Sequence, residues 1–485
     1  MRKLFLILPL LAAMLLLSCS DNESFTTSPS NRLTFSVDTV MLDTVFSRVP
    51  SSTRTFWVFN HSGDGIRCSN VRLQQGNQTG FRVNVDGIYL GATEGYQTSE
   101  IELRNKDSLR VFVELTSPMN NHTDPQLLED NLVFTLESGA EQKVNLRAFT
   151  WDAEMVDHLV VSRDTTISTT RPLVVSGGIE VAENATLQLL GTTLYFRANA
   201  GIDVYGRLIT DEHDGRETLL RGDRLDHMFD YLPYDRVSGQ WQGIAFHDSS
   251  YENVIRHTEL HSGSNGIVCD SSSTARSKLT MEYSTIHNMQ GYGLMATNCR
   301  LSINTCQITN TLMDCLCVRG GMVDVNNCTL AQFYPFDSNR GAAIRFANNT
   351  GDNCPCPLER LQVSNTIITG YADDVLMGEL ADSAVVAEYV FDHCLIRTPK
   401  VETADSVRFK ATIWEDVKDT ITAGDKNFAL VDTDNLIYDF SLAKTSKAIG
   451  AALPAQSMPT DRQGRRRDDQ PDMGCFEFEE AKTEN

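Results

Sequence analysis

The feature that most constrains the fold is an eight-residue phrase that occurs twice in the middle of the chain. The segments LSINTCQI and VDVNNCTL both read apolar, any, apolar, Asn, any, Cys, any, apolar. Cys306 and Cys328 are 22 positions apart, and so are Ile308 and Leu330. Such a recurrence indicates that one structural unit is repeated along the chain.

Looser copies of this phrase continue on both sides. They share the order apolar, any, apolar, any, any, small, any, apolar, and they lie at 279–286, 361–368 and 389–396, with a weaker copy at 255–260. A second apolar phrase follows most copies after a polar gap, as GIVC, GLMA, CLCV, AIRF or VLMG, and GIAF begins this series. The alternation has period two, so the units are strands.

A single coil of such strands cannot bury its inward residues, whereas stacked coils can. We therefore predict a solenoid of β-coils in which Ile286, Ile308, Leu330 and Ile368 form one inward column. The pattern resembles the right-handed parallel β-helices of the pectate-lyase-like superfamily. That resemblance implies two strands meeting at a short bend, with Asn304 and Asn326 stacked in it, and a third sheet after a longer loop.

The C-terminal stretch TDRQGRRRDDQPDMGCFEFE, residues 460–479, carries a second resemblance. It is similar to the ending D-x-x-G-x-x-R…P-D-x-G-x-x-E of many bacterial β-helix proteins. We expect a closing turn and a last strand that protect the terminal edge of the solenoid. The predicted β-helix spans residues 151–480, and residues 481–485 form a tail.

The first 18 residues predict a secretory signal peptide, because Arg2 and Lys3 precede a short apolar run. LLSC, residues 16–19, resembles a bacterial lipobox, which implies cleavage before Cys19 and lipid on that residue. We expect a lipid-anchored protein of the bacterial cell envelope, held at the outer membrane and displayed on the cell surface. An ordinary secreted protein and an uncleaved anchor are the alternatives.

Residues 19–31 are polar and predict a flexible tether. Residues 32–150 contain about seven short alternating segments separated by turn residues, which predicts an immunoglobulin-like β-sandwich. Their order resembles bacterial modules related to the ASPM–SPD-2–Hydin type. The predicted fold class is therefore all-β, an N-terminal Ig-like sandwich followed by a right-handed parallel β-helix.

The first catalytic candidates lie on the sheet that is formed by the second apolar phrases, from GIAF to VLMG. The resemblance implies that polysaccharide lyases of the superfamily act on the outer face of this sheet. Its predicted outward row is Val268, Met295, Cys317 and Arg345, with Ala245 before it and Leu376 after it. The row lacks the carboxylates that Ca²⁺ requires and the carboxylate pair of a glycosidase. Arg345, and Asp337 in a flanking loop, remain as candidates, although we favour solvated loop charges.

A second candidate site involves His261 and His287, which occupy equivalent positions in neighbouring repeats and are expected to stack. With Glu259 and Glu282 nearby, these residues allow a metal or general-base site. We favour the alternative that they are polar residues on an outer turn. We accordingly predict no metal ligand set and no cofactor.

The cysteine pairs CLC, 315–317, and CPC, 354–356, form a third candidate. Period two places Cys315 and Cys317 on one outer face, and the loop with Cys354 and Cys356 can fold back over them. We predict a disulfide staple, since an envelope protein is in an oxidising compartment. Free thiols and a four-cysteine zinc site are the alternatives.

The formal net charge of −22 argues against a nucleic-acid partner. Because no catalytic set is visible, we predict a binding role, in which the β-helix of this lipoprotein holds a glycan or another envelope protein. A polysaccharide lyase or glycoside hydrolase is the first alternative, and a structural or adhesive protein is the second.

Overall fold

The computed structural model describes residues 24–351, 354–380 and 384–480. The predicted signal peptide, Cys19 and the tail 481–485 lie outside these ranges. The chain divides into two compact units between Asp152 and Ala153. No helix in the described ranges is long and apolar enough to cross a membrane.

The N-terminal unit is a β-sandwich of two sheets. In spatial order, one sheet contains Leu33–Phe35, Arg54–Asn60, Ser108–Leu115, Phe81–Val85 and Ile88–Tyr89. The other contains Thr39–Phe46, Glu141–Trp151, Gln126–Leu136, Ile66–Leu73 and Gln97–Thr98, with Ile101–Leu103 also paired to Ile66–Leu73. Inward side chains such as Val58, Val111 and Phe134 are fully buried between the sheets. This is the Ig-like architecture predicted.

The C-terminal unit is a parallel β-helix built from three sheets, which confirms the predicted fold. Sheet 1 contains Glu154–Val156, Leu173–Val175, Thr193–Phe196, Thr218–Gly222, Thr258–His261, Thr285–Met289, Gln307–Thr311, Thr329–Gln332, Ile367–Gly370, Leu395–Ile396 and Ile413–Trp414. Sheet 2 contains Leu159–Val161, Ile179–Val181, Ile202–Val204, Ile244–Phe246, Ile267–Cys269, Leu294–Thr297, Leu316–Arg319, Ile344–Ala347 and Leu376–Glu379. Sheet 3 contains Thr165–Ile167, Thr186–Leu190, Arg207–Asp211, Asn253–Arg256, Leu279–Glu282, Arg300–Asn304, Gly321–Asn326, Leu358–Ser364, Ala387–Asp392 and Phe409–Lys410.

Two antiparallel hairpins and several short turns lie outside these sheets. The hairpins pair His227–Phe229 with Leu232–Pro233 and Phe428–Asp432 with Ile437–Leu442. The remaining regular structure in the described ranges is 3₁₀-helix, at Ala92–Glu94, Tyr234–Arg236, Ala404–Arg408, Gly424–Asn427 and Pro454–Gln456.

The inward column of sheet 1 is the one that the repeats predict. Ile286 pairs with Ile308, Ile308 with Leu330, and Leu330 with Ile368, all in parallel register. All four side chains are fully buried. Burial of a large aliphatic side chain contributes roughly 1.5–3 kcal/mol, so the stacked columns supply the core that no single coil has.

Between a strand of sheet 3 and the next strand of sheet 1, from Asn253–Arg256 to Ala387–Asp392, the chain bends at one residue in the left-handed region. These residues include His257, Tyr283, Thr305, Asn327, Asn365 and His393, with φ between 43° and 53°. Asn304 and Asn326 pair in register one residue before the bend. This is the stacking predicted for them. Their amides donate to Ser302 Oγ and to the Gln456 carbonyl, and Asn326 Oδ1 accepts from Asn365 Nδ2 at 3.3 Å.

The C-terminal segment differs from its prediction. Residues 443–480 form no strand, and they run back along the column of bends instead of capping the end of the stack. Leu453 N donates to Asn365 Oδ1, Met458 N to Asn327 Oδ1, and Thr460 Oγ1 to Tyr283. Left-handed bends expose polar groups that need partners, and the segment supplies them.

The motif residues of this segment fix its own turns. Arg467 donates to Glu477 Oε2 at 2.8 Å and to two backbone carbonyls. Asp461 accepts hydrogen bonds from the backbone of Gln463 and Arg465. The motif is therefore structural, in keeping with its use as a signature of the fold.

Candidate functional site

A groove of about 400 Å³ lies over the outer face of sheet 1. Outward side chains of three successive coils form its floor in two rows, Glu259–Thr285–Gln307 and His287–Thr309. His261 continues the second row but is buried. Alternation along each strand directs these residues outward, because Leu260, Ile286 and Ile308 between them face the core.

Two segments outside the repeats form the walls of the groove. The hairpin Phe428–Asp432/Ile437–Leu442 contributes Tyr438 and Phe440, whose rings stack with centroids 5.9 Å apart. The turn Tyr234–Arg236 contributes Asp235 and Arg236. Arg236 donates to the Asn435 carbonyl at 2.6 Å, which ties this turn to the hairpin.

Two side-chain oxygens of residues that line the groove are buried without a hydrogen-bond partner in the described part of the chain. They are the Tyr438 hydroxyl and Asn310 Oδ1. Burial raises the pKa of Tyr438, so the phenol keeps its proton and remains a donor. An unsatisfied buried polar group costs about 1–3 kcal/mol, so a polar ligand that reaches either atom from the groove would remove that cost.

Glu259 and His287 on the floor of the groove meet the buried His261. The two imidazole rings stack with centroids 4.9 Å apart, which confirms the stacking predicted from the repeat. Glu259 Oε1 lies 3.0 Å from His287 Nε2 and 3.8 Å from His261 Nε2. One ligand atom from each of the three residues lies within 4.8 Å of the other two.

The environment sets the charge of two of these groups. Burial works to raise the pKa of Glu259, but the hydrogen bond from His287 and the nearby positive charges outweigh it and hold the pKa at about 2. Burial, together with the neighbouring His287, lowers the pKa of His261. Glu259 is therefore an anion beside a neutral His261 at neutral pH.

Glu282, the other residue proposed for this cluster, lies elsewhere. It pairs with Arg256 at 2.8 Å at the end of a sheet 3 strand. His257, four positions before His261, occupies a bend and stacks on Tyr283, with ring centroids 5.1 Å apart. The bend between sheets 3 and 1 separates both residues from the cluster, although each is close in sequence to one of its histidines.

The predicted outward row of sheet 2 is present. Ala245, Val268, Met295, Cys317 and Arg345 follow one another in parallel register. The next residue is Met377 and not Leu376, because Leu376 pairs with the inward Ile344. The prediction was one residue out of register at this last coil.

Arg345 is held between two carboxylates. It donates to Asp314 Oδ2 at 2.8 Å and also to Glu379. Burial works to lower the pKa of Arg345, but the bonds to Asp314 and Glu379 outweigh it and raise that pKa. Asp337 lies in an exposed loop, where it accepts a hydrogen bond from the Asn339 backbone. The structure does not bring Arg345 and Asp337 into a common catalytic arrangement in its described ranges.

The four cysteines of the predicted staple are all free thiols in the structure. Cys315 lies in the inner core, contrary to prediction, because the strand begins only at Leu316 and the residue before it turns inward. Cys317 is outward but covered, and Cys356 donates to the Arg319 carbonyl at 3.3 Å. Cys354 is exposed.

Sequence reasoning found the floor of the groove but missed its walls. Period two marks Glu259, His261 and His287 as outward, which is a readable signal. Tyr438, Asp235 and Arg236 belong to non-repeating segments, and no spacing in the sequence indicates that these segments return to sheet 1.

Comparisons with known proteins give little beyond the fold. No family model matches the chain, and no curated protein matches it. The ASH/PapD-like domain of human CEP192 (PapD-like domain 7) is 12% identical, over 28% of this chain and 97% of that one, with a TM-score of 0.17. A family 28 exopolygalacturonase of Yersinia enterocolitica is 8% identical, over 76% of this chain and 92% of that one, with a TM-score of 0.26. The fold assignment rests on the strand pairing of the chain itself.

Proposed function

We propose that this protein is a lipid-anchored envelope protein whose β-helix binds a neutral glycan in the groove over sheet 1. The observation that carries the proposal is that two residues lining that groove have a buried, unpartnered oxygen, the Tyr438 hydroxyl and Asn310 Oδ1. Binding sites for small polar molecules combine a few such directed groups with an apolar or aromatic wall. Sugar hydroxyls both donate and accept, so a glycan can satisfy both atoms.

The lining of the groove favours sugar over a protein side-chain ligand. The floor presents hydroxyl, amide, imidazole and carboxylate groups on successive coils, and neighbouring strands are about 4.8 Å apart. Tyr438 and Phe440 add an aromatic surface beside them. A chain molecule with hydroxyls along its length matches this repeating floor and can lie against the rings.

The overall charge of the protein favours a neutral glycan. Asp235, Glu259 and Arg236 line the groove, and Asp235 also pairs with Arg221 at 2.5 Å. The local charges therefore largely balance, but the protein as a whole carries a formal charge of −22. A polyanionic glycan would be repelled by this overall charge.

The experiment is a binding panel of neutral and acidic glycans with the purified full-length protein, read by calorimetry. We expect saturable binding of a neutral glycan that weakens at least about tenfold in Tyr438→Ala, since a desolvated aromatic contact and a hydrogen bond are both lost. Tyr89→Ala in the sandwich is the matched control and should bind normally. Equal affinities in the two variants, or binding of acidic glycans only, would contradict the proposal.

Arg345 supports no lyase reaction in this proposal, because both sides of its guanidinium are engaged by carboxylates. We expect Arg345→Ala to leave glycan binding unchanged. The same panel, incubated for hours and read by ultraviolet absorbance, should yield no unsaturated product. Turnover that disappears in Arg345→Ala would favour the polysaccharide lyase alternative.

A further inference from the structure

The cluster on the groove floor contains a histidine whose proton position is fixed by its neighbours. Ser262 Oγ donates its hydrogen to the Asp235 carbonyl at 2.8 Å. A serine hydroxyl has one hydrogen to donate, so towards His261 Nδ1, 2.8 Å away, it accepts. His261 therefore carries its proton on Nδ1 and a lone pair on Nε2.

That lone pair faces negative charge. His261 Nε2 lies 3.7 Å from Asp235 Oδ1 and 3.8 Å from Glu259 Oε1, both beyond hydrogen-bond distance. Asp235 Oδ1 already pairs with Arg221 at 2.5 Å. The His261 side chain is 4% exposed, and Glu259 Oε1 offers its Nε2 no proton. A cation placed between His261 Nε2 and Glu259 Oε1 gives both acceptors a partner.

We infer that Glu259, His261 and His287 bind a divalent first-row transition metal, with Zn²⁺ as the reference ion. This departs from our sequence-based expectation of no metal ligand set. The metal site and the proposed glycan site share the groove, but the inference does not otherwise depend on the proposed function.

The two separations from Glu259 Oε1 suit this ion. Ligand atoms on a tetrahedral Zn²⁺, each about 2.0–2.2 Å from it, are roughly 3.4 Å apart. The two separations from Glu259 Oε1, 3.0 and 3.8 Å, lie on either side of that value. Binding would transfer the His287 proton from Nε2 to Nδ1, and the hydrogen bond to Glu259 would be replaced by two bonds to the metal.

The surroundings match those of known metal sites in two further ways. The Nδ1–H of His261 is held by Ser262, and a metal-bound histidine usually donates its other ring nitrogen in this manner. Glu259 and His287 also open onto the groove, so a water or a sugar hydroxyl can complete the coordination. Two imidazoles and one carboxylate suit Zn²⁺ or Fe²⁺, whereas Ca²⁺ and Mg²⁺ prefer oxygen ligands.

The test uses chelator-treated full-length protein and no glycan. Titration with Zn²⁺ followed by calorimetry should show one saturable site per chain, and Ca²⁺ should not compete. Glu259→Gln and His287→Ala should each weaken Zn²⁺ binding at least tenfold. Ser262→Ala should weaken it about 10–100-fold, as loss of an outer partner does.

His247→Ala is the matched control, because His247 also lies between two carboxylates, Asp203 and Asp270, outside the groove. It should bind Zn²⁺ like the wild type. The visible spectrum of Co²⁺ bound to the wild type gives a readout that needs no variant, and it should show a four- or five-coordinate ion. The inference would be overturned if the wild type showed no saturable Zn²⁺ binding. It would also be overturned if His247→Ala lost as much Zn²⁺ affinity as Glu259→Gln and His287→Ala.

The two proposals fail separately. Glycan binding is measured in chelator with Tyr438→Ala, and Zn²⁺ binding is measured without glycan. Zn²⁺ binding alone would support the metal site and contradict the glycan role, and the reverse result would contradict the metal site only.

Discussion

At the scale of single residues, burial decides the chemistry of the cysteines. Every cysteine in the described ranges except Cys354 is buried. Burial also raises the pKa of Cys394 and of Cys475 to about 12, which keeps their thiols protonated. Thiolate is the reactive form, so these residues are inert fillers of the β-helix core.

We predict that one thiol, Cys354, reacts with iodoacetamide in the native protein, apart from Cys19. The other ten thiols should react once the protein is denatured, with no reductant added. Intact mass gives the number of alkylated thiols at each step. If four thiols stay unreactive until a reductant is added, the disulfide staple predicted from CLC and CPC is present instead.

Lys278 gives a second prediction, on pH dependence. Its side chain is fully buried and its ammonium group donates to the His247 carbonyl. Burial lowers the pKa of Lys278. At pH values between this lowered pKa and the ordinary pKa of lysine, Lys278 is protonated in the unfolded chain and neutral in the folded chain. The free energy of unfolding therefore rises with pH in this range.

Lys278→Met removes this contribution. We measure the free energy of unfolding by urea titration at pH 7.5 and at pH 9.5. The difference between the two values, pH 9.5 minus pH 7.5, should be smaller in Lys278→Met than in the wild type. Lys444→Met, at a side chain that is 79% exposed, is the control and should follow the wild type. Parallel pH dependence in all three proteins would show that Lys278 titrates normally.

At the scale of elements, the repeats predicted the coils well and the connecting segments poorly. The column from Ile286 to Ile368 follows from spacing alone, because the register of stacked strands is set by the inward residues. The C-terminal motif was recognised, but its place was not. Nothing in its sequence shows that Asn327 and Asn365 in the bends provide its hydrogen-bond partners.

The C-terminal segment carries a prediction on stability. Arg467 and Glu477 form an ion pair in which the side chains are only 2% and 10% exposed. Removing one partner of a buried pair costs about 3–5 kcal/mol, so Arg467→Ala should lower the free energy of unfolding by that amount. Urea denaturation followed by tryptophan fluorescence measures it.

Arg465 is the neighbouring control. It pairs with Glu479 where both side chains are about half exposed, and exposed pairs contribute about 0–1 kcal/mol. Arg465→Ala should therefore change the free energy of unfolding by less than about 1 kcal/mol. Similar losses in both variants would mean that the segment is not held by the buried pair.

At the scale of the whole molecule, the sequence predicts the repeating coils, whereas the groove forms only when distant segments fold together. The fold class was predictable from the coils, and so was the outward direction of His261 and His287. The groove was not, since its wall comes from Tyr438, more than 150 positions away from His287. The segment around Tyr438 has no repeat, so the sequence alone gives no signal that this segment reaches sheet 1.

Anchoring is a prediction at this scale. If LLSC is a lipobox, Cys19→Ser should move the protein from the membrane fraction to the soluble fraction of its own cells. Ser18→Ala keeps the cysteine and should leave the protein with the membrane. A Cys19→Ser protein that still sediments with the membrane would contradict the lipid anchor.

The central claim is that ligand binds over sheet 1, and hydrogen–deuterium exchange with the best neutral glycan of the panel tests it most directly. We predict slower exchange on ligand binding at 285–289, 307–311 and 436–440, and no change at 316–319 and 344–347 on sheet 2. Protection on sheet 2 with none over sheet 1 would contradict the account.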